Sequence, residues 1–317
     1  MPDKQCKIGL ALGSGAARGM AHIGVLKVLE KTGVRIDTIA GTSVGAFIGA
    51  LYAAGVPVSQ MEEVARKVDW RQLARLLDPT LPTSGLIDGR KVTRFIAELL
   101  PVHTFEELKI PLAVVATDVE TGEMLIIKKG NLLLALQAAI AFPGIFTPVR
   151  FGDRFLVDGG LCNPVPADVV RELGADIVIG VCAIPEVCKA PAETYLPPAE
   201  EENEGGKGHP FELFNAARVE SVLMDILRRN GNGKKAGKDN SQRKPPSLFR
   251  VCAQSVVIME NQINQLRLER NDIDLLIRPD LKNIALLDFH RAAEAIQAGE
   301  TAAARFADRL RTLTGCH

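Results

Sequence analysis

The chain has no charge of one sign to spare: 38 lysines and arginines stand against 38 aspartates and glutamates over 317 residues. Nothing in that balance points to nucleic acid, and no overall basic bias favours an anionic membrane. No apolar run approaches the ~18 residues that a membrane-spanning helix needs. Residues 1–7 are polar, and the apolar stretch Ile8 to Leu12 is shorter than the ~7–15 residues of a signal-peptide core. The expectation is a cytoplasmic protein, with at most peripheral contact at the inner face of the membrane. The six cysteines (Cys6, Cys162, Cys182, Cys188, Cys252 and Cys316) show no C-x-x-C spacing, and the five histidines no H-E-x-x-H or paired pattern. Scattered thiols of this kind read as buried core residues, and neither a zinc site nor another cofactor is expected. At 47% hydrophobic, the chain can bury a sizeable core.

From residue 7 to 184 strands and helices alternate. Lys7 to Leu12, Ile36 to Gly41, Pro111 to Thr117, Met124 to Lys128, Arg154 to Val157 and Ala175 to Ala183 read as strands. Helical spacing runs through Gly19–Lys31, Val44–Ala54, Gln60–Val68, Gly89–Leu100, Leu132–Ala141 and Val165–Leu173. Such alternation predicts an α/β fold of three layers, α/β/α, around a mostly parallel sheet. The pattern breaks at 185–247, where two stretches rich in Pro, Glu, Gly, Lys and Asn read as a flexible insertion. Within it, 211–229 is amphipathic, which suits either a docked surface helix or a lipid-contacting lid. Regular structure resumes at Leu248, in a helix to Arg270 expected to bury Val257, Ile258, Ile263 and Leu266. Ile273 to Arg278 reads as one more strand, and His290 to Leu313 as a closing helix. The chain is expected to be a single domain, its core at 6–184 and 248–313.

The sharpest motif is Gly41-Thr42-Ser43-Val44-Gly45, a G-x-S-x-G pentad between a strand and a helix. A serine there sits on a tight turn that pushes its hydroxyl clear of the backbone, although an ordinary loop serine fits the same pentad. A serine nucleophile needs a base and donors for the oxyanion. The turn Gly13-Ser14-Gly15-Ala16-Ala17-Arg18-Gly19 offers backbone donors at the positive end of a helix dipole. It departs from phosphate loops: Arg18-Gly19-Met20 replaces Gly-Lys-Ser/Thr, and a dinucleotide fingerprint would put glycine at Arg18. Arg18 reads as a loop-organising or anion-attracting residue rather than a catalytic one. Asp158, followed by Gly159 and Gly160, is the candidate base, with a turn-forming aspartate as its alternative. No histidine suits a Ser-His-Asp triad, and His22 reads as packed or capping. What is left is a Ser-Asp dyad.

Four ordered blocks then resemble the patatin-like phospholipase family, in the bacterial branch similar to the catalytic domain of neuropathy target esterase. They are Leu12 to Gly19 with His22-Ile23-Gly24-Val25-Leu26 after it, Gly41 to Gly45, Ala141-Phe142-Pro143-Gly144-Ile145-Phe146-Thr147-Pro148-Val149, and Asp158-Gly159-Gly160 with Asn163-Pro164-Val165-Pro166. The resemblance implies a patatin-like fold, Ser43 as nucleophile and Asp158 as general base. It implies an oxyanion hole from the amides of Ser14, Gly15 and Ala16, and no metal. Gly13, Arg18, Gly19 and Val44 complete the expected oxyanion and substrate-binding set. The implied reaction is hydrolysis of lipid carboxylic esters through an acyl-serine. An alcohol or thiol acceptor in place of water, or a non-catalytic scaffold on the same fold, would use the same residues. Ser14 and Ala16 replace the first and middle glycines of the family's G-x-G-x-x-G, so Gly13 and Gly15 are expected to absorb the turn. Acyl chain, head group and oligomeric state are not readable.

Overall fold

The computed structural model describes residues 6–68, 75, 87–185, 248–270 and 272–314. Residues 186–247, which hold all but the first residue of the expected insertion and its stretch 211–229, lie outside the described residues.

The strands are β1 (Ile8–Leu12), β2 (Thr38–Thr42), β3 (Leu112–Asp118), β4 (Met124–Ile127), β5 (Val149–Phe151), β6 (Arg154–Asp158), β7 (Ile177–Val181) and β8 (Leu275–Ile277), with β1, β2 and β3 buried along their whole length. The helices are α1 (Ala21–Thr32), α2 (Val44–Ala53), α3 (Val58–Lys67), α4 (Arg90–Leu99), α5 (Leu132–Ala139), α6 (Ala167–Glu172), α7 (Leu248–Leu268), α8 (Ala292–Ala304) and α9 (Ala307–Thr314). The closing helix expected over 290–313 is therefore two helices, α8 and α9. One eight-stranded sheet runs β5-β6-β3-β2-β1-β7-β8, with β4 beside β3. The neighbours β3-β2-β1-β7-β8 are parallel, whereas β4, β5 and β6 pair antiparallel.

Alternation along the strands divides the core between the two faces. Leu10, Leu12 and Ile39 join Leu26 and Ile48 of α1 and α2 on one face. Ala11, Ala40 and Ala113 meet Val165, Val169 and Val170 on the other. The small residues on that second face let α6 lie close: a Cβ on Gly9 would fall 2.1 Å from Val170 Cγ1.

The register also brings distant segments together. β4 and β6 both pair with Ala116 and Thr117, so they occupy opposite edges of β3. β4 and β2 both pair with Val114 and Val115, so they are opposed as well. β2 and β6 consequently share one edge of β3, end to end. Thr42 lies opposite Val115 and Asp158 opposite Ala116, in the next row. The two strands point at each other and stop where they meet, which puts Ser43 beside Asp158. Asp158 thus reaches the site from an antiparallel strand rather than from the end of a parallel one.

Helix α7 departs from its expected orientation at two of four positions: Val257 and Ile263 are half-buried, but Ile258 and Leu266 are not buried. Glu260 (7% exposed) and Asn264 (4%) face inward, while Ile258 (53%) and Leu266 (64%) face out. It packs on the turn at Gly159–Leu161, and its last residue, Leu268, reaches the apolar core. Among the described residues no helix is long and apolar enough to cross a membrane.

Candidate active site

Ser43 joins β2 to α2 with φ 55° and ψ −127°, a conformation that costs a residue with a side chain about 1–3 kcal/mol. The surroundings enforce it. Thr42 Oγ1 donates to the Asn163 carbonyl at 2.7 Å. Ser43's own carbonyl accepts from the amides of Ala46 and Phe47. Gly45 lies against the end of β1, where a Cβ would sit 2.2 Å from the Leu12 oxygen and 2.5 Å from that of Gly13. Gly19, Gly41 and Gly159 are packed as closely, against Val44, Ala46 and Val115. No side chain caps α2, so the positive end of its dipole, with the Val44 amide, faces the serine.

Ser43 Oγ donates to Asp158 Oδ2 at 2.6 Å, in a position where Asp158 is only 2% exposed. The other carboxylate oxygen, Oδ1, accepts the Gly160 amide at 2.8 Å. Thr117 Oγ1 donates to the Asp158 carbonyl at 3.0 Å, and the Asp158 amide bonds the Ala141 carbonyl at 3.0 Å. Burial pushes the Asp158 carboxyl up to about 6, against the opposing pull of the hydrogen bonds from Ser43 and Gly160. A carboxylate so placed is ionised at neutral pH yet basic enough to accept a proton.

The turn after β1 supplies donors, though not all those expected. The Gly13 amide is committed to Val181 O at 3.0 Å and the Ser14 amide to Pro164 O at 2.8 Å. Ala17 bonds Leu286 O, and Arg18 bonds Gly15 O. Ser14 is therefore removed from the oxyanion set, because its N–H stitches the turn to the segment after Asn163. The amides of Gly15 and Ala16 have no acceptor among the described residues. Ala16 has φ 48° and Gly15 φ 156°. The left-handed step that was expected to fall on Gly13 and Gly15 therefore falls partly on an alanine. His22 Nε2 donates to Gly13 O at 2.8 Å, and full burial pushes this imidazole down to about 4, leaving it neutral. Arg18 Nε donates to Ile284 O at 2.6 Å; burial lowers its pKa and nearby Asp288 raises it. Both side chains tie down the loop rather than face the dyad.

A cavity of about 280 Å³ opens beside the dyad, with Ser43, Asp158 and Ala16 among its lining residues. The rest of its wall is almost wholly apolar. Val44, Phe47, Ile48 and Leu51 run down one stripe of α2, so the cavity follows that helix for about 10 Å. Phe142, Ile145 and Phe146 close another side, which gives the third sequence block a place in the wall. Leu286, Leu287 and Phe289 come from the segment before α8. Among the described residues no group of three His, Cys, Asp or Glu side chains is placed to hold a metal ion.

One residue at the site went unread in the sequence. Glu260 of α7 packs on Gly160, beside Asp158. Its signal is faint but present: it is the single charged residue between Val251 and Leu266.

Comparison with known proteins agrees with this architecture. A model of the patatin-like phospholipase family matches residues 10–171. An uncharacterized NTE family protein of Mycobacterium tuberculosis is 30% identical over 327 residues, covering 94% of this chain and 90% of its own. Human patatin-like phospholipase domain-containing protein 6 is 38% identical over 181 residues, 55% of this chain and 13% of that much longer protein. Among solved structures, VipD from Legionella pneumophila aligns with a TM-score of 0.47 at 12% identity, over 97% of this chain and 67% of that one. That likeness is too remote for any detail to be carried across. The match over half the chain and the near full-length relative place this protein in the patatin-like phospholipase family.

Proposed function

We propose that this protein is a lipid acyl hydrolase that cleaves carboxylic esters with a Ser43–Asp158 dyad. The observation that carries the reading is the 2.6 Å Oγ–Oδ2 hydrogen bond beside an apolar cavity. Ser43 Oγ attacks the ester carbonyl carbon while Asp158 takes its proton. The carbonyl oxygen becomes an oxyanion held by the free amides of Gly15 and Ala16 and by the first turn of α2 at Val44. Collapse breaks the carbon–oxygen bond to the alcohol, which leaves with the proton from Asp158. Water then attacks the acyl-serine, gives a proton to Asp158, and the returned proton restores Ser43 as the fatty acid departs. No histidine is required, since the buried carboxylate is basic enough for both transfers.

The cavity argues for an acyl chain rather than a polar acid as the bound half of the ester. Its volume lies near the lower end of the ~300–1,000 Å³ common for small-molecule sites. A head group would remain outside, where the substrate meets a lipid surface.

A fluorophosphonate probe tests the nucleophile. The intact protein is expected to be labelled, and Ser43→Ala to be unlabelled. Asp158→Asn is expected to keep its melting temperature within a few degrees and to lose at least ~10³-fold of esterase activity. Equal labelling of the Ser43→Ala variant, or turnover retained without Asp158, would remove the dyad from the reaction.

A further inference from the structure

Helix α7 is inside-out at the place where it meets the dyad. Its inward face carries Glu260, Asn264 and Arg267, whereas Val251, Ile258, Met259 and Leu266 are exposed. Apolar burial does not explain why Glu260 rather than Ile258 or Leu266 faces in. Polar contacts do. Arg267 donates to Asp168 Oδ2 at 3.0 Å, Asp168 Oδ1 accepts from Asn163 Nδ2 at 2.6 Å, and Asn264 Nδ2 reaches Cys182 Sγ at 3.3 Å. Glu260 lies over Gly160. A Cβ built on that glycine would be 2.3 Å from Glu260 Oε1 and 3.3 Å from Asp158 Oδ1. Two buried carboxyl groups therefore flank one point, and only a residue without a side chain leaves room for both.

We infer that Glu260 is a positioning acid of this site, a neutral carboxyl packed on the Asp158–Gly160 turn that holds the two-carboxyl cluster at one negative charge, and whose deprotonation slows acyl transfer. The inference rests on Ser43 and Asp158 being the reacting pair. The physical basis is the cost of two charges in a dry site: like carboxylates at close range cannot both ionise cheaply. Asp158 keeps the negative charge because Ser43 Oγ and the Gly160 amide both donate to it. Glu260 keeps the proton. Among the described residues the groups around it do not offset a second charge. Arg267, the cation this helix face presents, is committed to Asp168, and the flanking turn brings Cys162, whose Sγ is turned to Gly122 O. Burial first, and the Asp158 charge second, push the Glu260 carboxyl up to about 8. Above that value a second negative charge stands beside the turn from which Asp158 works. It opposes the oxyanion that must develop at Ser43, and it pulls the Gly160 amide away from Asp158 Oδ1.

The test is the pH dependence of fluorophosphonate labelling and of kcat/KM from pH 4.5 to 10. Thermal melts at each pH keep unfolding separate. Wild type is expected to rise about tenfold per unit up to about pH 6 and to decline above about pH 8. Glu260→Gln mimics the neutral acid, so it is expected to keep the acid limb and lose the alkaline one. At pH 9.5 it should exceed wild type by tenfold or more when each is normalised to pH 7. Glu260→Asp keeps a titrating group but draws it back from Gly160, and is expected to move the alkaline limb without abolishing it. An alkaline limb unchanged in Glu260→Gln would overturn the inference, as would an unmoved limb in Glu260→Asp if the glutamine variant does not fold. Failure of the dyad itself reads differently: Ser43→Ala would then still be labelled at pH 7.

Discussion

His22 is a fully buried imidazole that must stay neutral, and its acid response can be worked out from its surroundings. Nε2 donates to Gly13 O at 2.8 Å, so the proton sits on that nitrogen, and Nδ1 has no partner among the described residues. Protonating Nδ1 would create an unpaired charge without water. Burial pushes the group down from 6.5 to about 4, with the Gly13 hydrogen bond acting weakly the other way. The sign follows from which state takes the proton first. As pH falls below about 6.5 the unfolded chain binds a proton that the folded chain refuses, so stability is intact above 6.5, drains away towards pH 4, and levels off below. Full expression of that shift is about 3 kcal/mol. Asp158 works in the opposite sense: its carboxyl is raised by burial, so its contribution grows as pH falls. Glu260, also raised by burial, acts in the same sense as Asp158, so a wild-type stability profile mixes all three, and only a difference isolates the histidine. His22→Gln retains a donor for Gly13 O and has nothing to titrate. Urea unfolding of both proteins at pH 7, 6, 5 and 4 is expected to show the glutamine variant gaining about 3 kcal/mol on wild type across the series, with no change above pH 7. Parallel profiles would mean that His22 charges freely in the folded state, and the argument that it pins the Gly13 carbonyl as a neutral donor would be wrong.

Two further outcomes follow from the site. Ala16 holds φ 48°, which costs a residue with a Cβ about 1–2 kcal/mol. Ala16→Gly is therefore expected to raise the melting temperature by about 2 °C with turnover within a few-fold, and a lower melting temperature would show that the strain is not there. Leu51 lines the cavity two turns along α2 from Ser43. Leu51→Trp is expected to cut kcat/KM about fourfold for each acyl methylene it excludes, at ~0.8 kcal/mol apiece, while butyrate esters are turned over as before. Equal losses on short and long esters would place the acyl chain elsewhere.

The parts of the fold that were legible in the sequence are those whose cause is local. The buried runs at Ile8 to Leu12 and Ile177 to Val181 read as strands because every residue in them is apolar or glycine. Ser43 was legible because an elbow needs small residues on both sides, and Asp158 because four spaced blocks together resemble one family. The three-residue strand β5 was not read in the sequence, and the directions of β4 and β6 were not legible, since a short strand has the same pattern whichever way it runs. That mattered for the site: β6 meets β2 head to head along β3, and this geometry is set by long-range pairing alone. The donor set was likewise half legible. Which amides of residues 13–18 are free depends on Val181, Pro164 and Leu286, more than 140 residues away.

Helix α7 shows most clearly where hydrophobic periodicity fails. Val257, Ile258, Ile263 and Leu266 were assigned to the core because core burial is the usual reason for apolar spacing along a helix. Here Ile258 and Leu266 face outward, Val257 and Ile263 are half-buried, and Glu260, alone among the sixteen residues 251–266 in bearing charge, faces in. Turning an acid inward costs free energy that packing does not return. Local rules are broken at places where a site requires it, so the exception itself is informative. The single acid of a helix is expected to be exposed; finding it against Gly160 and Asp158 ties this stretch of α7 to the candidate site. If Glu260→Leu proved more stable than wild type at pH 7 and equally active at every pH, the orientation of α7 would owe nothing to the dyad.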